Sequence, residues 1–302
     1  MKNKLLLPLI LSLSQNLAAL DCDYAADVLY QAHSLHHQSH AFEREKLLVK
    51  IAIENCPEMP EAHNYYGSLL EDEGNYTQAI IYYKRAIALR PDFSEAWYGL
   101  GETYHKQGRF PLSLEAHLHA CQTDSDSKKR IEALLEDNRY TFTEEGKIID
   151  RDSLLVLYDK QRQKAIDQML SDCGLGRFKR VNPAAVFRNF QFAPRKADLE
   201  PGSERQLEEI VAALLNLPNR VIKIDGHTDT QPFKDAPVAD SKRLNLELSQ
   251  QRADTIANAL NIRGIPMSRI KTDGHGYDEP LVAGNNPSAW AQNRRVEIKL
   301  DD

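Results

Sequence analysis

Asp225-Gly226-His227-Thr228-Asp229, then Asn245-Leu246-Glu247-Leu248-Ser249-Gln250-Gln251-Arg252-Ala253, then Asn293-Arg294-Arg295-Val296-Glu297-Ile298, is the stretch whose reading decides the fold. Val221 to Ile224 reads as a strand that runs straight into the Gly-His-Thr-Asp turn. Ser249 reads as an N-cap, and Ala253, Ile256, Ala257 and Leu260 recur at helical spacing until Gly264 closes the segment. Asn245 then stands at the entry to the helix. This reading places Arg252 in the first turn, where the helix dipole disfavours a cation by about 0.3–1 kcal/mol unless an anion sits between them. A helix N-terminus with free N–H groups and a guanidinium is a receptor for a carboxylate.

Working outward, Phe190 and Phe192 alternate in Arg188-Asn189-Phe190-Gln191-Phe192 as in a half-buried strand. Pro201-Gly202-Ser203 opens a helix with Ser203 and Gln206 as a capping box and Leu207, Ile210, Val211 and Leu214 on one face. Arg269 to Thr272, the Gly274-His275-Gly276 turn and alternating Val296, Ile298 and Leu300 complete the order β-α-β-α-β-β. That order puts helices on a small mixed sheet, an α+β domain.

The three motifs, in this order and spacing, resemble the OmpA-like peptidoglycan-binding domain family over residues 181–302. The resemblance implies that Asp229 and Arg252 grip diaminopimelate of the peptidoglycan stem peptide, with Thr228, Asn245, Asn293 and Arg294 beside them. The segment between Asp229 and Asn245, with Gln231-Pro232-Phe233, is longer than in porin-type members and closer to the flagellar stator branch, so the rim loop carries over least. The far end of diaminopimelate bears an ammonium and a carboxylate on one carbon. Arg252 suits the carboxylate, and Asp229 either takes the ammonium or orients the arginine. A plain structural ion pair between Asp229 and Arg252 is the competing reading.

A period of 34 governs the first half: Gly67 to Gly101, Gly74 to Gly108, Ala86 to Ala120 and Pro57 to Pro91. That is the tetratricopeptide period, and the residues resemble that family. One copy carries Trp97, Leu100, Gly101, Tyr104, Gly108, Ala116 and Ala120; the copy before it carries Gly67, Leu70, Gly74, Ala79, Tyr83, Ala86 and Pro91. Residues 24–57 keep the phase through Ala52 and Pro57 but replace the glycines with His33 and His40, as a worn capping copy does. The expected architecture is therefore an α-helical tetratricopeptide solenoid over residues 21–123, followed by the α+β OmpA-like domain at 181–302. Residues 124–180 read as a connector, with a hairpin around Glu144-Glu145-Gly146 and one amphipathic helix from Ser153 to Leu170. Cys173-Gly174-Leu175-Gly176 marks the boundary after it.

Met1-Lys2-Asn3-Lys4 followed by Leu5 to Leu13 and then Leu17-Ala18-Ala19 reads as a cleaved export signal over residues 1–20. Its apolar run is too short for a spanning helix, which needs about 20 residues. Asp21 stands where a lipobox before Cys22 wants a small residue. In an oxidising compartment the four cysteines allow three pairings, of which proximity favours Cys22 with Cys56 and Cys121 with Cys173; buried free thiols are the equal alternative. The net charge of −6 gives no broad basic field, so nucleic acid is not an expected partner.

His33, His36, His37 and His40 have the spacing of paired zinc ligands on a helix, but one helix cannot complete a tetrahedron and a solvated polar face is the expectation. Asp225, His227, Asp229 and His275 are the residues a metal-dependent envelope hydrolase would use. No nucleophile elbow, His-Glu-x-x-His helix or phosphate loop accompanies them. No catalytic residue, metal or cofactor is expected. The expected function is non-covalent wall binding in the periplasm or at the outer membrane, coupled to a repeat adaptor for an unidentified envelope protein. A periplasmic chaperone or assembly factor tethered by its wall domain is the alternative.

Overall fold

The computed structural model describes residues 22–36, 38, 40–142, 147–178, 184–187, 190, 192, 196–199, 201–231, 233 and 236–301. The expected export signal lies outside them. The chain divides into two compact units: the residues up to Gln107 with His119–Ser127, and Gly108–Leu118 with Lys128 onward.

The first unit is helical. Residues 22–35 form α1, followed by α2 (Phe42–Asn55), α3 (Pro60–Asp72), α4 (Tyr76–Leu89) and α5 (Ser94–Lys106). Helix α2 packs on α3, α3 on α4 and α5, and α4 on α5. Small residues make this closeness feasible: Ala52, Ala79, Ala86 and Ala96 are fully buried. Tyr83 of α4 lies between two glycines. A Cβ on Gly99 would come 2.5 Å from its ring and one on Gly67 3.0 Å. The Tyr83 hydroxyl donates to Glu71 at 2.8 Å. Gly74, just past α3, takes the left-handed φ of +73°, as does Gly108 one period later at +74°.

The worn copy is a real helix pair, α1 and α2, joined by a Cys22–Cys56 disulfide. Cys121 and Cys173 are also in the disulfide state, so no described cysteine is a free thiol. The described histidines of the run, His33, His36 and His40, are all exposed, as a solvated face requires, although two of them have partners. His33 stacks on Tyr65 at 4.0 Å, and His36 Nδ1 donates to Glu45 at 2.9 Å. His40 holds a left-handed turn, while His37 lies outside the described residues. No metal-ligating group of three occurs among the described residues.

The second unit contains most of α6 (Phe110–Ala120) and α7 (Ser125–Leu135), then α8 (Arg151–Tyr158), α9 (Lys160–Asp172), β1 (Ala185–Phe187), α10 (Glu204–Leu215), β2 (Val221–Gly226), α11 (Val238–Ile262), β3 (Ile270–Gly274), α12 (Pro287–Asn293) and β4 (Val296–Asp301). The four strands lie in the order β1-β4-β2-β3, with β2 parallel to β3 and β4 antiparallel to both β1 and β2. Val296, Ile298 and Leu300 are buried along β4 while Glu297 and Lys299 are not, as the alternation predicts.

Several local expectations are corrected. The first strand is Ala185–Phe187, upstream of the Phe190/Phe192 alternation; Phe192 makes only an isolated bridge to Leu199. Tyr140 and Thr141 end a 3-10 turn rather than a hairpin arm, Phe142 bridges Val186, and residues 143–146 lie outside the described set. The single connector helix is two. Asp159 takes an extended conformation that ends α8, and its carboxylate accepts from Arg162 N to cap α9. The capping box at Ser203 does not form, because the Gln206 amide is turned to Ile149, accepting from its N–H at 3.0 Å and donating to its carbonyl at 2.9 Å. The connector is thus part of the second unit's core: α8 packs on α10, and the buried Tyr158 hydroxyl donates to Ile298 O at 2.8 Å.

Candidate ligand-binding site

Gly226 and Gly274 face each other at the ends of β2 and β3. Helix α11 crosses there so closely that a Cβ on Gly226 would sit 2.2 Å from Ser249 O, and one on Gly274 2.4 Å from Gln250 N. Ser249 is therefore not an N-cap. It is fully buried in the helix interior, its Oγ donating to Leu246 O and accepting from Gly276 N, both at 2.8 Å. The helix starts after Pro237, whose ψ of 154° is extended. Asn245 likewise lies inside the helix, buried, with its Nδ2 bonded to Ser241 O at 3.0 Å. Leu, Glu, Lys and Arg between Lys242 and Leu248 are strong helix formers, which is why the helix runs upstream of the serine.

Arg252 consequently lies about four turns from the start of α11, beyond the reach of the terminal dipole. The expectation that it sits against its own helix's positive end is overturned. Another oddity takes its place. Arg252, flanking the buried Ala253–Ile256–Ala257–Leu260 face, is only 7% exposed; its Nε donates to Lys196 O at 3.3 Å, and its guanidinium carbon lies 4.9 Å from the Phe192 ring centroid. Its two Nη groups have no hydrogen-bond partner, and no carboxylate lies within ion-pair distance, among the described residues. Burial pushes its pKa down to about 10, the nearby Arg294 charge adding and Asp229 opposing; it remains a cation at neutral pH.

Asp229 is also 7% exposed, but its partner is Arg294 rather than Arg252. Its Oδ2 accepts from Arg294 Nη1 at 2.7 Å and its Oδ1 from Gln231 N at 2.8 Å. A direct Asp229–Arg252 ion pair is thus not formed. Arg294 follows α12 and its side chain is 45% exposed. Asn293 acts as a staple: its side chain accepts from Leu281 N and Val282 N and donates to Val282 O, at 2.8, 3.1 and 3.0 Å. Thr228 N donates to Gly276 O at 2.7 Å, and its buried hydroxyl has no partner among the described residues. Of the six expected residues, Asp229, Arg252 and Arg294 form one charged group, while Thr228, Asn245 and Asn293 hold the surrounding backbone. Phe192, whose alternation with Phe190 reads as a strand, and the Lys196 carbonyl were not foreseen as neighbours of Arg252, because the sequence between them carries no pattern that ties either to α11.

Beneath the turn, His227 and His275 stack at 5.0 Å. His275 contacts Asp225 at 3.2 Å, while His227 Nε2 stands 3.6 Å from Glu297, beyond hydrogen-bond reach, leaving both its ring nitrogens without a hydrogen bond among the described residues. Burial, with the Arg295 charge, pushes the His227 pKa down to about 4 against the opposing pull of Glu297. Burial works against ionising Asp225, yet His275, Lys223 and Lys299 hold its carboxyl below the usual range. Asp225 and Asp229 are thus each committed to cations of this chain.

Residues 191–294 match the OmpA family and residues 67–108 the TPR repeat. The chain is 37% identical over 112 residues to the probable lipoprotein YiaD of Escherichia coli, a match covering 37% of this chain and 48% of that protein. It is 29% identical over 110 residues to the peptidoglycan-associated lipoprotein of Pseudomonas aeruginosa, covering 36% of this chain and 60% of that one. Among solved structures, the peptidoglycan-associated lipoprotein of Burkholderia pseudomallei aligns at 26% identity over 37% of this chain and 86% of that one, with a TM-score of 0.32. The matches to the two curated relatives thus span only about half to three-fifths of their length. With glycines, turn and arginines all falling inside the matched segment, residues 191–294 are an OmpA-family domain, carried on a chain whose N-terminal half holds tetratricopeptide repeats.

Proposed function

We propose that this chain binds peptidoglycan non-covalently through the diaminopimelate of its stem peptide, and that the repeats hold an envelope protein at the wall. The observation that carries the reading is the Arg252 guanidinium, buried and without a carboxylate among the described residues. An unpaired buried charge costs several kcal/mol, so an incoming carboxylate restores what folding left unmet. Arg252 forks that carboxylate through its two open Nη groups, and the Phe192 ring braces the guanidinium plane. Asp229 receives the neighbouring ammonium, since a carboxylate holding Arg294 and one backbone N–H retains acceptor capacity. The name of the Pseudomonas relative, a peptidoglycan-associated lipoprotein, supports this ligand.

Two or three charge-assisted contacts of about 1.5–3 kcal/mol each give millimolar to micromolar affinity for a free muropeptide. Retention then comes from the density of identical stem peptides in the wall, which favours rebinding. Sedimentation of the full chain with purified sacculi tests the proposal: wild type pellets, and Arg252→Ala and Asp229→Ala remain in the supernatant. Pelleting of Arg252→Ala at the wild-type level would refute it. The adaptor role is tested separately, by a pull-down from periplasmic extract with and without substitutions on the exposed faces of α3 and α5.

A further inference from the structure

The turn that carries Asp229 continues into side chains the stem-peptide reading does not use. Thr230 Oγ donates to Asn285 Oδ1 at 3.5 Å, and the Trp290 indole Nε1 donates to the same oxygen at 3.0 Å. Two donors on one oxygen fix the orientation of the Asn285 amide. Its Nδ2 then presents two N–H groups with no partner among the described residues. Trp290 is half-buried on α12, and no described ring or cation packs on its faces. The same short helix leads into Arg294, whose guanidinium grips Asp229 at 2.7 Å. A fixed indole, a donor amide and a hydroxyl therefore share one exposed patch that begins at the residue after Asp229.

We propose that Trp290, Asn285 and Thr230 form a subsite for an N-acetylhexosamine of the glycan strand, a deepening that rests on the stem-peptide reading above. A pyranose presents a face of C–H groups that packs on an aromatic ring by dispersion and burial. Its hydroxyls and acetamido carbonyl are the acceptors that Asn285 Nδ2 lacks. None of the three side chains is charged, which suits a neutral sugar and not a second acidic group. The stem peptide is attached to the glycan through its first residue, so a sugar subsite bordering the peptide pocket follows the covalent path of the ligand.

Calorimetric titration of the full chain with two probes tests this: a disaccharide-bearing muropeptide, and the same stem peptide freed of sugar by an amidase. The sugar is expected to tighten wild-type binding about tenfold. Trp290→Ala should abolish that gain while leaving the free stem peptide unaffected, Trp290→Phe should keep most of it, and Asn285→Ala, outside α12, should lose several-fold. Equal affinity of the two probes for wild type, or an unchanged ratio in both Trp290→Ala and Asn285→Ala, overturns the subsite. If wild type ignores the free stem peptide yet takes the disaccharide probe in a Trp290-dependent manner, the stem-peptide reading fails and the subsite stands.

Discussion

Glu45 in the repeats and Arg252 in the OmpA-family domain are both buried charged side chains, at 3% and 7% exposure, and their surroundings could hardly differ more. Glu45 is met from two sides, by the Tyr65 hydroxyl of α3 and by His36 Nδ1 from the end of α1. Arg252 has one long bond to a backbone carbonyl and a ring face, and no acid among the described residues. A charge whose needs are met within the fold ties helices together. One whose needs are unmet marks where something else belongs.

The sharpest break of this contrast comes from removing each charge in turn. Glu45→Ala should destabilise the repeat unit by about 3–5 kcal/mol, because it strips the shared acceptor from Tyr65 and His36 across three helices. Urea denaturation followed by circular dichroism reads this, and a loss below about 1 kcal/mol would contradict the structural role.

A pH series sharpens the comparison within the second unit. His227 is held neutral in the fold, with its pKa depressed from 6.5 to about 4, so between these values the unfolded chain binds a proton that the folded chain refuses. Stability is therefore full above pH 6.5 and falls by about 3 kcal/mol on acidification toward pH 4. His227→Gln should flatten that slope in urea midpoints measured across the window.

Arg252→Met is the counterpart of the Glu45 substitution. It should lower muropeptide affinity by about 1.5–3 kcal/mol while moving the melting temperature little, or upward, since it removes an uncompensated buried charge. A large loss of stability with binding preserved would make Arg252 structural. The smallest effect is expected from Arg294→Ala. Its half-exposed pair with Asp229 should contribute less than about 1 kcal/mol to thermal stability, by scanning calorimetry.

What the sequence disclosed follows the range over which its signals act. The 34-residue phase was legible because Gly67, Ala79, Tyr83 and Ala86 answer to neighbouring helices close by in sequence. The strand alternation at Val296, Ile298 and Leu300 was legible because a period of two is written within the strand itself, even though its partners β1 and β2 lie far upstream. Ser249 misled because a serine before an apolar helical run looks the same whether it caps a helix or lies inside one. Its true partner, Gly276 N, is 27 residues away. Gln206 misled likewise, its amide being claimed by Ile149. Arg252 was singled out, but for a dipole it does not feel; the isolation that makes it a candidate arises from Phe192 and Lys196, which no local pattern ties to α11.

The disulfide between Cys22 and Cys56 spans 34 residues, one full repeat. In a linear stack each helix pair is supported only by its neighbours, so the outermost pair is ordinarily the first to fray. Closing a loop of that size removes about 4 kcal/mol of chain entropy from the opened state. The staple therefore locks the outer end of the stack, and the unravelling of this unit becomes directional: under oxidising conditions α1 and α2 are the last pair to part, and a reductant should reverse the order.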